Sequence, residues 1–476
     1  MSRAAEVPVL VIGGGVAGLA AATRVVAAGT PVVVVEAADR WGGKAHTEHH
    51  EGFLIEAGPD SFVSYRPAAI TWAQELGLGA DIISTTDPRT VHLRRAGEMV
   101  PMPAGMGMVL PTQFAPFVRT ELFSWPQKFR AGLDVVMPRR LPPGDISIGD
   151  FLAERLGPGL VDRLAEPMLG GVYGASVYDL SLDAVLPQLR DYENQHRSLL
   201  IAALRQGQQA RTAAAGRSAA GSTGASPFRS LRDGMGSLVT AAVTHCATSG
   251  LADLRAGVSV TSLTAAPHGT VANLSDGSQV NAAAVVFATP AHVTAELIAE
   301  HLPKAAAIMK SGVRGSTAVV SLAYREEAFD VPPTGHGFLE AGPNPAVFSG
   351  VTFSSRKWVG RAPAGTVLLR AFLPSRSARL AMGFDDEVVA AVHDQLSAIL
   401  GIHEKPVVRS VHRWVEAMPT YTVGHLDRMT ALDRATSVRP DWALAGASYR
   451  GVGVPDCVAS GRSAGDAVLT HVHTAA

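Results

Sequence analysis

The chain has 476 residues, of which 47% are hydrophobic and 17% are charged, so it can form two or three domains with buried cores. Its formal net charge of -1 excludes nucleic-acid binding through an overall basic field and gives no general attraction to anionic membranes. The two cysteines, Cys246 and Cys457, lie far apart without a metal-type spacing, which argues against a disulfide framework and favours a reducing, cytoplasmic compartment.

Neither an export signal nor a membrane-spanning segment is expected. The segment MSRAAEVP, before the first apolar run, is too short to hold a charged region and an apolar signal core. The most apolar windows are interrupted by glycine, proline or polar residues before they reach the roughly 18 to 20 residues that a spanning helix needs. Weak peripheral contact with a membrane stays open, as does the oligomeric state.

The first predicted element is a strand at Val9 to Ile12, a short apolar run typical of a strand buried on both faces of a parallel sheet. Gly13, Gly15 and Gly18 follow it with the spacing G-x-G-x-x-G. These glycines allow a tight turn, a close approach of pyrophosphate to the backbone, and close packing of a helix on the sheet. The spacing therefore predicts a phosphate-binding turn that leads into a helix.

The next elements complete a dinucleotide-binding unit. The small-residue helix ends at Gly29, and the apolar run PVVVVE predicts a second buried strand that closes on Glu36. A carboxylate at this place accepts hydrogen bonds from the hydroxyls of an adenosine ribose. An acid here disfavours a 2′-phosphate, which leaves FAD or NAD as the ligand.

A second glycine turn follows in EAADRWGGKAHT. Arg40 can pair with pyrophosphate as a planar fork, and Gly42 and Gly43 let the backbone approach a cofactor. This R-x-G-G pattern resembles the second dinucleotide fingerprint of the amine oxidase and porphyrinogen oxidase flavoproteins. The resemblance favours FAD over NAD.

The rest of the chain alternates in character. Residues 111–210 are largely helical in pattern, and 205–228 are rich in Ala, Gly, Ser and Arg, which predicts a mobile connector. Short strands follow, with a hairpin signal at Asp276-Gly277, and residues 315–420 read as a strand-rich domain. A final strand, a glycine-rich turn and a helix beginning near Pro455 end the pattern.

These elements predict an α/β protein: a two-dinucleotide-binding-domain flavoprotein with a Rossmann-type FAD domain, an α+β substrate domain and a helical subdomain. The predicted bounds are 1–85, 229–292 and 436–476 for the discontinuous FAD domain, 86–110 and 293–435 for the substrate domain, 111–204 for the helical subdomain and 205–228 for the connector.

Six stretches in order resemble the bacterial porphyrinogen oxidases, the oxygen-dependent coproporphyrinogen III and protoporphyrinogen IX oxidases of haem biosynthesis. They are EAADRWGGK, GFLIEAGPDSFVSYRP, EPMLGGVYGASVYDLSLDAVLPQL, FRSLRDGMGSLV, RWVEAMPTYTVGHLDRM and LAGASYRGVGVPDCVASGRSA. The resemblance covers nearly the whole chain. It implies non-covalent FAD and oxidation of a porphyrinogen by oxygen, with hydrogen peroxide as product.

The resemblance also implies which residues form the site. The cofactor-binding residues are Gly13, Gly14, Gly15, Val16, Ala17, Gly18, Glu36, Ala37, Arg40, Gly43, Lys44, Gly58, Pro59, Asp60, Ser61, Val258, Trp414, Val452, Gly453 and Val454. The residues implied to position the substrate are Gly171, Phe338 and Leu339. For the substrate's propionates we expect basic and hydroxyl partners from Arg66, Arg450, Lys357 and Tyr65.

The expected chemistry needs little acid–base help. Loss of hydride from a methylene bridge between two pyrroles gives a delocalised cation that then loses an N–H proton. The sequence shows no Ser-His-Asp, paired-carboxylate or cysteine-nucleophile signature near the flavin motifs, so no general base is assigned. No metal site is expected, because strand alternation splits the histidines of His46 to His50 between two faces.

Three other functions are considered. Protoporphyrinogen IX is the alternative porphyrinogen. Amine oxidation or carotenoid desaturation could run on the same fold, although the flavin turn AGASYRGVGVPD lacks the cysteine through which many amine oxidases attach flavin. A non-enzymatic FAD-binding module would produce no peroxide with any porphyrinogen.

Overall fold

The structure is a computed structural model that describes residues 7–107, 109–139, 143–218, 226–267, 269–342 and 346–475. The strands are β1 (Val9–Ile12), β2 (Val32–Glu36), β3 (Thr47–His50), β4 (Phe53–Glu56), β5 (Phe62–Val63), β6 (Ile82–Ser84), β7 (Val91–Arg95), β8 (Glu98–Pro101), β9 (Met106–Gly107), β10 (Leu110–Pro111), β11 (Phe228–Leu231), β12 (Ala252–Ala256), β13 (Val260–Ala266), β14 (Gly269–Leu274), β15 (Gln279–Ala282), β16 (Ala284–Phe287), β17 (Val313–Arg325), β18 (Gly337–Glu340), β19 (Gly350–Phe353), β20 (Thr366–Leu373), β21 (Val408–Thr420) and β22 (Trp442–Leu444).

The α-helices are α1 (Val16–Ala27), α2 (Ala68–Glu75), α3 (Phe114–Arg119), α4 (Trp125–Gly132), α5 (Ile148–Leu156), α6 (Pro158–Leu160), α7 (Gly171–Tyr173), α8 (Leu182–Val185), α9 (Pro187–His196), α10 (Leu199–Ser218), α11 (Gly236–Thr248), α12 (Ala291–Ile298), α13 (Pro303–Lys310), α14 (Ser354–Lys357), α15 (Ala378–Ala381), α16 (Asp385–Leu400), α17 (His425–Thr436) and α18 (Val454–Ala475). A π-helix covers Val161–Gly170, and 3-10 turns cover Gly79–Asp81, Leu133–Val135, Glu326–Ala328 and Ser375–Ser377.

The chain forms two compact units, each made of separated segments. The first unit comprises Met1–Ser84, Pro227–Gly312 and Asp427–Ala476; the second comprises Thr85–Ser226 and Val313–Leu426. Helices α12 and α13 lie in the first unit, whereas the sequence placed 293–312 in the substrate domain.

The first unit is built on a parallel sheet with the order β12-β2-β1-β16-β22. Val9 pairs with Val32 on one side and Ala284 on the other, so β1 is a central strand. Val9 and Val11 lie in an apolar cluster with residues of α1, α11 and α18, and Leu10 and Ile12 lie in another with β13–β15, α12 and α13. The strand predicted to be buried on both faces is therefore confirmed.

The second unit is built on a seven-stranded sheet with the order β21-β17-β20-β19-β18-β7-β8. Its neighbours are antiparallel except for β18 and β7, which run parallel. Helix α16 covers one face, where Val388 and Val392 join Val320 and Leu369 in a buried cluster. Alternate residues of each strand therefore divide between this core and the opposite face.

A buried ion network ties the helices of residues 114–218 together. Arg155 on α5 is fully buried, and its Nε donates to Asp134 at 2.6 Å, while its Nη1 lies 3.2 Å from Glu193 on α9. Asp134 also accepts from the Ser198 hydroxyl at 2.6 Å and from the Leu200 N–H at 3.0 Å, at the start of α10. Each buried charge thus has the partners that burial requires.

The predicted connector is partly wrong. Residues 205–218 continue α10, a 20-residue helix, and residues 219–225 lie outside the described part of the chain. The helix begins on buried Leu199 and Leu200, and Ser198 accepts from the Ile201 N–H at 3.1 Å. Forming the first turn is the costly step of helix formation, and here tertiary contacts hold that turn in place. The alanine-rich run that follows can then extend the helix at little cost in free energy.

Candidate functional site

The turn between β1 and α1 has the shape that the glycine pattern predicts. A Cβ at Gly13, where φ is 107°, would lie 2.9 Å from the Ala288 carbonyl oxygen, and a Cβ at Gly18 would overlap the Gly13 carbonyl oxygen. At Gly15, no atom of the described residues lies within 4 Å of the position that a Cβ would take. The first helical bond runs from the Leu19 N–H to the Gly15 carbonyl at 2.9 Å, so the N–H groups of Val16, Ala17 and Gly18 have no acceptor within the helix. This geometry suits a pyrophosphate.

Glu36 ends β2 with its carboxylate fixed beside this turn. One oxygen accepts from the Gly14 N–H at 2.6 Å and the other accepts from the Ala38 N–H at 2.9 Å. The carboxylate keeps lone pairs that can accept from ribose hydroxyls. The Val258 N–H donates to the Glu36 backbone carbonyl at 3.0 Å, which fixes the backbone of Val258 beside the end of β2.

The second glycine turn packs directly on the first. The Gly42 N–H donates to the Gly14 carbonyl at 2.8 Å, and a Cβ at Gly43 would lie 3.4 Å from the Gly15 Cα. Arg40 donates from Nη1 to the Gly43 carbonyl at 2.9 Å, which fixes this turn from the side. Two sequence fingerprints separated along the chain are therefore brought together as one cradle.

Lys44 and the segment Gly58–Ser61 continue the cradle. A Cβ at Gly58 would overlap the Lys44 carbonyl oxygen, so the two backbones touch there. Burial lowers the pKa of Lys44, and the neighbouring Cys457 opposes that shift. The Ser61 hydroxyl donates to the Asp60 carboxylate at 2.7 Å, and the Ser230 hydroxyl donates to the Asp60 carbonyl at 2.7 Å.

The start of α18 brings in a residue that the sequence analysis missed. The Gly453 N–H donates to the Asp456 carboxylate at 3.3 Å, next to the predicted flavin contacts Val452 and Val454. Arg66 donates to both oxygens of the same carboxylate. An acid three residues into a helix that follows a glycine turn is a capping signal, so the pattern could have identified Asp456.

The residues predicted for the propionates have other surroundings. Arg66 pairs with Asp456, and Arg450 pairs with Asp433 within the first unit. Tyr65 is 66% exposed. Lys357, in the second unit, holds its Nζ 5.1 Å from the centre of the Trp358 ring. The structure does not bring these four residues together in one unit, and both arginines already bond carboxylates.

The residues expected to position the substrate lie in the second unit. Phe338 is 1% exposed and lies between Phe348 and Phe353, with ring centres 6.0 and 6.1 Å away, so it packs in the core under α16. Leu339 is half-buried and points to the opposite face of the sheet, because successive strand residues alternate.

Gly171 and Trp414 also lie in the second unit. Gly171 begins α7, directly after the π-helix, and a Cβ there would lie 3.6 Å from the Ser349 hydroxyl oxygen. π-Helical turns occur often at functional sites. Trp414 is half-buried on β21, opposite Thr317 of β17.

Searches for other site types give two results. Among the described residues, no group of three or more His, Cys, Asp or Glu side chains could hold a metal ion. Within the same part of the chain, no helix is long and apolar enough to cross a membrane.

Comparison with known proteins gives consistent matches. Residues 16–469 match the family described as flavin containing amine oxidoreductase. A coproporphyrinogen III oxidase of Propionibacterium freudenreichii subsp. freudenreichii is 46% identical over 97% of this chain and 90% of that protein. The coproporphyrinogen III oxidase of Bacillus subtilis (strain 168) is 32% identical over 98% of each chain.

Among solved structures, a candidate protoporphyrinogen oxidase from Exiguobacterium sp. 255-15 superposes with a TM-score of 0.84 at 27% identity, covering 98% of this chain and 99% of that one. The open backbone at Gly15, the fixed Glu36 carboxylate and the paired glycine turns fit the pyrophosphate and ribose of FAD. The chain therefore belongs to the flavin containing amine oxidoreductase family, as an FAD-dependent oxidoreductase of its porphyrinogen oxidase branch.

Proposed function

We propose that this protein oxidises coproporphyrinogen III to coproporphyrin III in haem biosynthesis, with oxygen as electron acceptor and hydrogen peroxide as product. The observation that carries the proposal is the 46% identity to the coproporphyrinogen III oxidase of Propionibacterium freudenreichii subsp. freudenreichii over 97% of the chain. The full oxidation removes six electrons, so one substrate molecule consumes three molecules of oxygen and gives three of peroxide.

FAD, when bound, accepts a hydride from a methylene bridge of the substrate. The residues of this chain then have mainly binding and orienting tasks. The turn Gly13–Gly18 would hold the pyrophosphate, Glu36 would hold the ribose, and the backbone of Val258 would contact the adenine. Lys44 places a positive charge in the cradle, where it favours negative charge on the cofactor.

In the second unit, Gly171 and Leu339 are the residues proposed to orient the macrocycle, and Trp414 is proposed to contact the flavin. The pyrrole N–H that loses its proton is acidified by the delocalised cation, so no strong base is required of the protein. The task of this unit is to present an apolar surface and to hold one bridge in the reacting position.

FAD is proposed to be held without a covalent bond, in a cytoplasmic protein. Cys457 is the fourth residue of α18, and burial raises the pKa of its thiol to about 11, which leaves it a poor nucleophile. Cys246 and Cys457 are both free thiols, as expected in a reducing compartment.

The test is porphyrin fluorescence under air, with coproporphyrinogen III and protoporphyrinogen IX supplied separately and an autoxidation control without protein. A faster rise with coproporphyrinogen III, together with three peroxides per porphyrin formed, is expected. Preference for protoporphyrinogen IX would move the assignment to that substrate, which the name of the Exiguobacterium relative favours. No acceleration with either substrate, in protein that carries FAD, would refute the proposal and favour an amine substrate.

A row of exposed apolar side chains suggests where the protein contacts a membrane. Trp125, Phe129, Leu133 and Val136, which we call the Trp125 stripe, are spaced by about one helical turn and are 71%, 72%, 37% and 70% exposed. Helix α4 and the following turn thus present apolar residues outward. Such a face on a surface helix marks an interaction site rather than a core.

We infer that the Trp125 stripe docks on an anionic lipid surface. Arg119 and Arg139 are exposed on either side of it, and the Lys128 Nζ lies 4.9 Å from the centre of the Trp125 ring. Glu121 is the exposed acid of segment 113–139, since Asp134 is buried. A basic rim around aromatic side chains is the composition of interfacial helices, and each basic residue contributes about 1 kcal/mol at an anionic surface.

Sedimentation with vesicles tests this contact. We expect binding to vesicles rich in phosphatidylglycerol, weaker binding at high salt, and loss of binding in the double variant Trp125→Ser, Phe129→Ser. Phe384, which is 80% exposed elsewhere in the second unit, provides the matched control Phe384→Ser. If the double variant and the control bound vesicles equally, the docking surface would be refuted. It would also be refuted if the double variant bound vesicles normally and only its oligomeric mass, measured by light scattering, changed.

A further inference from the structure

The turn before α18 is wrapped tightly around one carboxylate. Asp456 is the third residue of α18, and its side chain is 18% exposed. It accepts from the N–H of Gly453, the residue before the helix, at 3.3 Å. Gly451 has φ of 147°, and a Cβ there would lie 2.5 Å from the Asp456 Cγ. The carboxylate therefore fixes the course of the backbone from residue 451 to 454.

Arg66 fixes that carboxylate in turn. Its Nη1 donates to both oxygens of Asp456, across 390 residues of sequence. Arg66 lies just after β5 and just before Pro67, the residue from which α2 begins. The pair thus joins the segment that directly follows Gly58–Ser61 to the turn Val452–Val454. The family resemblance assigns Gly58–Ser61 and Val452–Val454 to FAD.

The ion pair of Arg66 and Asp456 also determines the net charge at the N-terminal end of α18. Pro455 has no N–H, and the Gly453 N–H is already occupied by Asp456, so few free donors remain in the first turn. An unpaired carboxylate here would oppose negative charge on a nearby flavin. Arg66 balances this charge while leaving the carboxylate in its capping position.

We propose that Asp456, clamped by Arg66, is a positioning residue that holds the backbone of Val452–Val454 in the conformation that receives the flavin end of FAD. The inference rests on the proposed placement of the flavin contacts and replaces a propionate-binding role for Arg66. It does not depend on which porphyrinogen is oxidised.

The test compares ion pairs made by the same helix. Farther along α18, Arg462 pairs with Glu75 of α2, at a distance in sequence from the flavin turn. The variants are Arg66→Met, Asp456→Asn, which keeps an oxygen acceptor for the Gly453 N–H, and the control Arg462→Met. Each is freed of FAD and titrated with FAD, and the dissociation constant, the visible spectrum and the reduction potential of the bound flavin are measured.

We expect Arg66→Met and Asp456→Asn to weaken FAD binding by about tenfold, the effect of losing a charge-assisted hydrogen bond, and to alter the flavin spectrum. The double variant should lose no more affinity than either single one, because the two residues act as a pair. Arg462→Met should lower the melting temperature to a similar extent and leave FAD affinity within about twofold.

Two results would overturn the inference. If Arg66→Met and Asp456→Asn fold, melt lower and bind FAD as tightly as the parent protein, the pair is merely structural. If Arg66→Met leaves FAD affinity and spectrum unchanged and raises KM for coproporphyrinogen III, Arg66 binds the substrate instead. Because FAD binding is measured without porphyrinogen, failure of the proposed reaction leaves this test intact.

Discussion

The substitution Glu36→Gln tests the cofactor cradle most directly. The Glu36 carboxylate accepts the Gly14 N–H with one oxygen, at 2.6 Å, and the Ala38 N–H with the other, at 2.9 Å. A glutamine amide has a single oxygen, so it can accept only one of these bonds and places an NH2 group against the other N–H. The phosphate turn and the ribose contact are both affected, since Gly14 belongs to that turn.

The magnitude follows from the hydrogen bond that the Glu36 carboxylate is proposed to accept from a ribose hydroxyl, because the bonds to Gly14 and Ala38 lie within the protein and do not themselves add to FAD affinity. A hydrogen bond to a charged group contributes about 1.5–3 kcal/mol, so FAD should bind about 10- to 150-fold more weakly. The loss should appear in FAD affinity more than in turnover, because Glu36 is assigned to the adenosine end of the cofactor and not to the reacting ring.

The assay is titration of apoprotein with FAD, followed by flavin fluorescence. Asp39, three residues farther on and exposed, provides the control Asp39→Asn, which removes a carboxylate from the same loop. The control should bind FAD as the parent protein does. If Glu36→Gln bound FAD within about twofold of the parent, the assignment of the Glu36 carboxylate to the ribose would be refuted.

Four further predictions concern substrate, stability and thiols. Lys357→Met should raise KM for coproporphyrinogen III more than it lowers kcat, and an unchanged KM would contradict its assignment to a propionate. Arg155→Met leaves two buried carboxylates without their cation and should lower the free energy of unfolding by about 3–5 kcal/mol, measured by denaturant titration. Burial lowers the pKa of His336. Its contribution to the free energy of unfolding is therefore complete above about pH 6.5 and declines as the pH falls from there through the lowered pKa. Between about pH 7.5 and 5.5, the melting temperature of the variant His336→Gln should drop less than that of the parent protein. Burial raises the pKa of the thiols of Cys246 and Cys457 to about 11. Both should therefore react more slowly with a disulfide reagent at about pH 8 in the native protein than after unfolding, Cys246 most slowly because it is fully buried, and equally fast reaction of the native protein would contradict the raised pKa.

The elements that the sequence predicted well are those specified by neighbouring residues. The glycine turn and the strand end at Glu36 are spaced by backbone geometry alone, and the structure joins them through the Gly14 N–H. Helix α5 begins at Ile148 because the hydroxyl of its N-cap residue Ser147 accepts from the Asp150 N–H at 3.0 Å, and it ends before Gly157, whose φ is 91°. Caps and tight turns depend on contacts within a few residues, which a sequence displays directly.

The features that the sequence analysis missed depend on distant partners. From the sequence alone, Arg66 is a surface arginine beside the predicted cofactor site. In the structure it pairs with Asp456, which lies 390 residues farther along the chain. The connector assigned from its composition continues as a helix because Ser198 and Leu199 anchor its start in a buried network that includes Asp134. Neither partner is visible from local composition, and helical propensity alone does not decide whether an alanine-rich run folds.

Strand alternation separates the two neighbouring residues that were expected to contact the substrate, Phe338 and Leu339. A shift of one residue along a strand moves a side chain from one face of the sheet to the other. Phe338 therefore lies in the core under α16, whereas Leu339 lies on the opposite face. Through the strand register, Leu339 aligns with Phe372 of β20 and His412 of β21, two residues from Trp414 on the same face. Because the residue implied to contact the flavin and the residue proposed to orient the macrocycle share this face, it is the side of the second unit on which substrate contacts are to be sought.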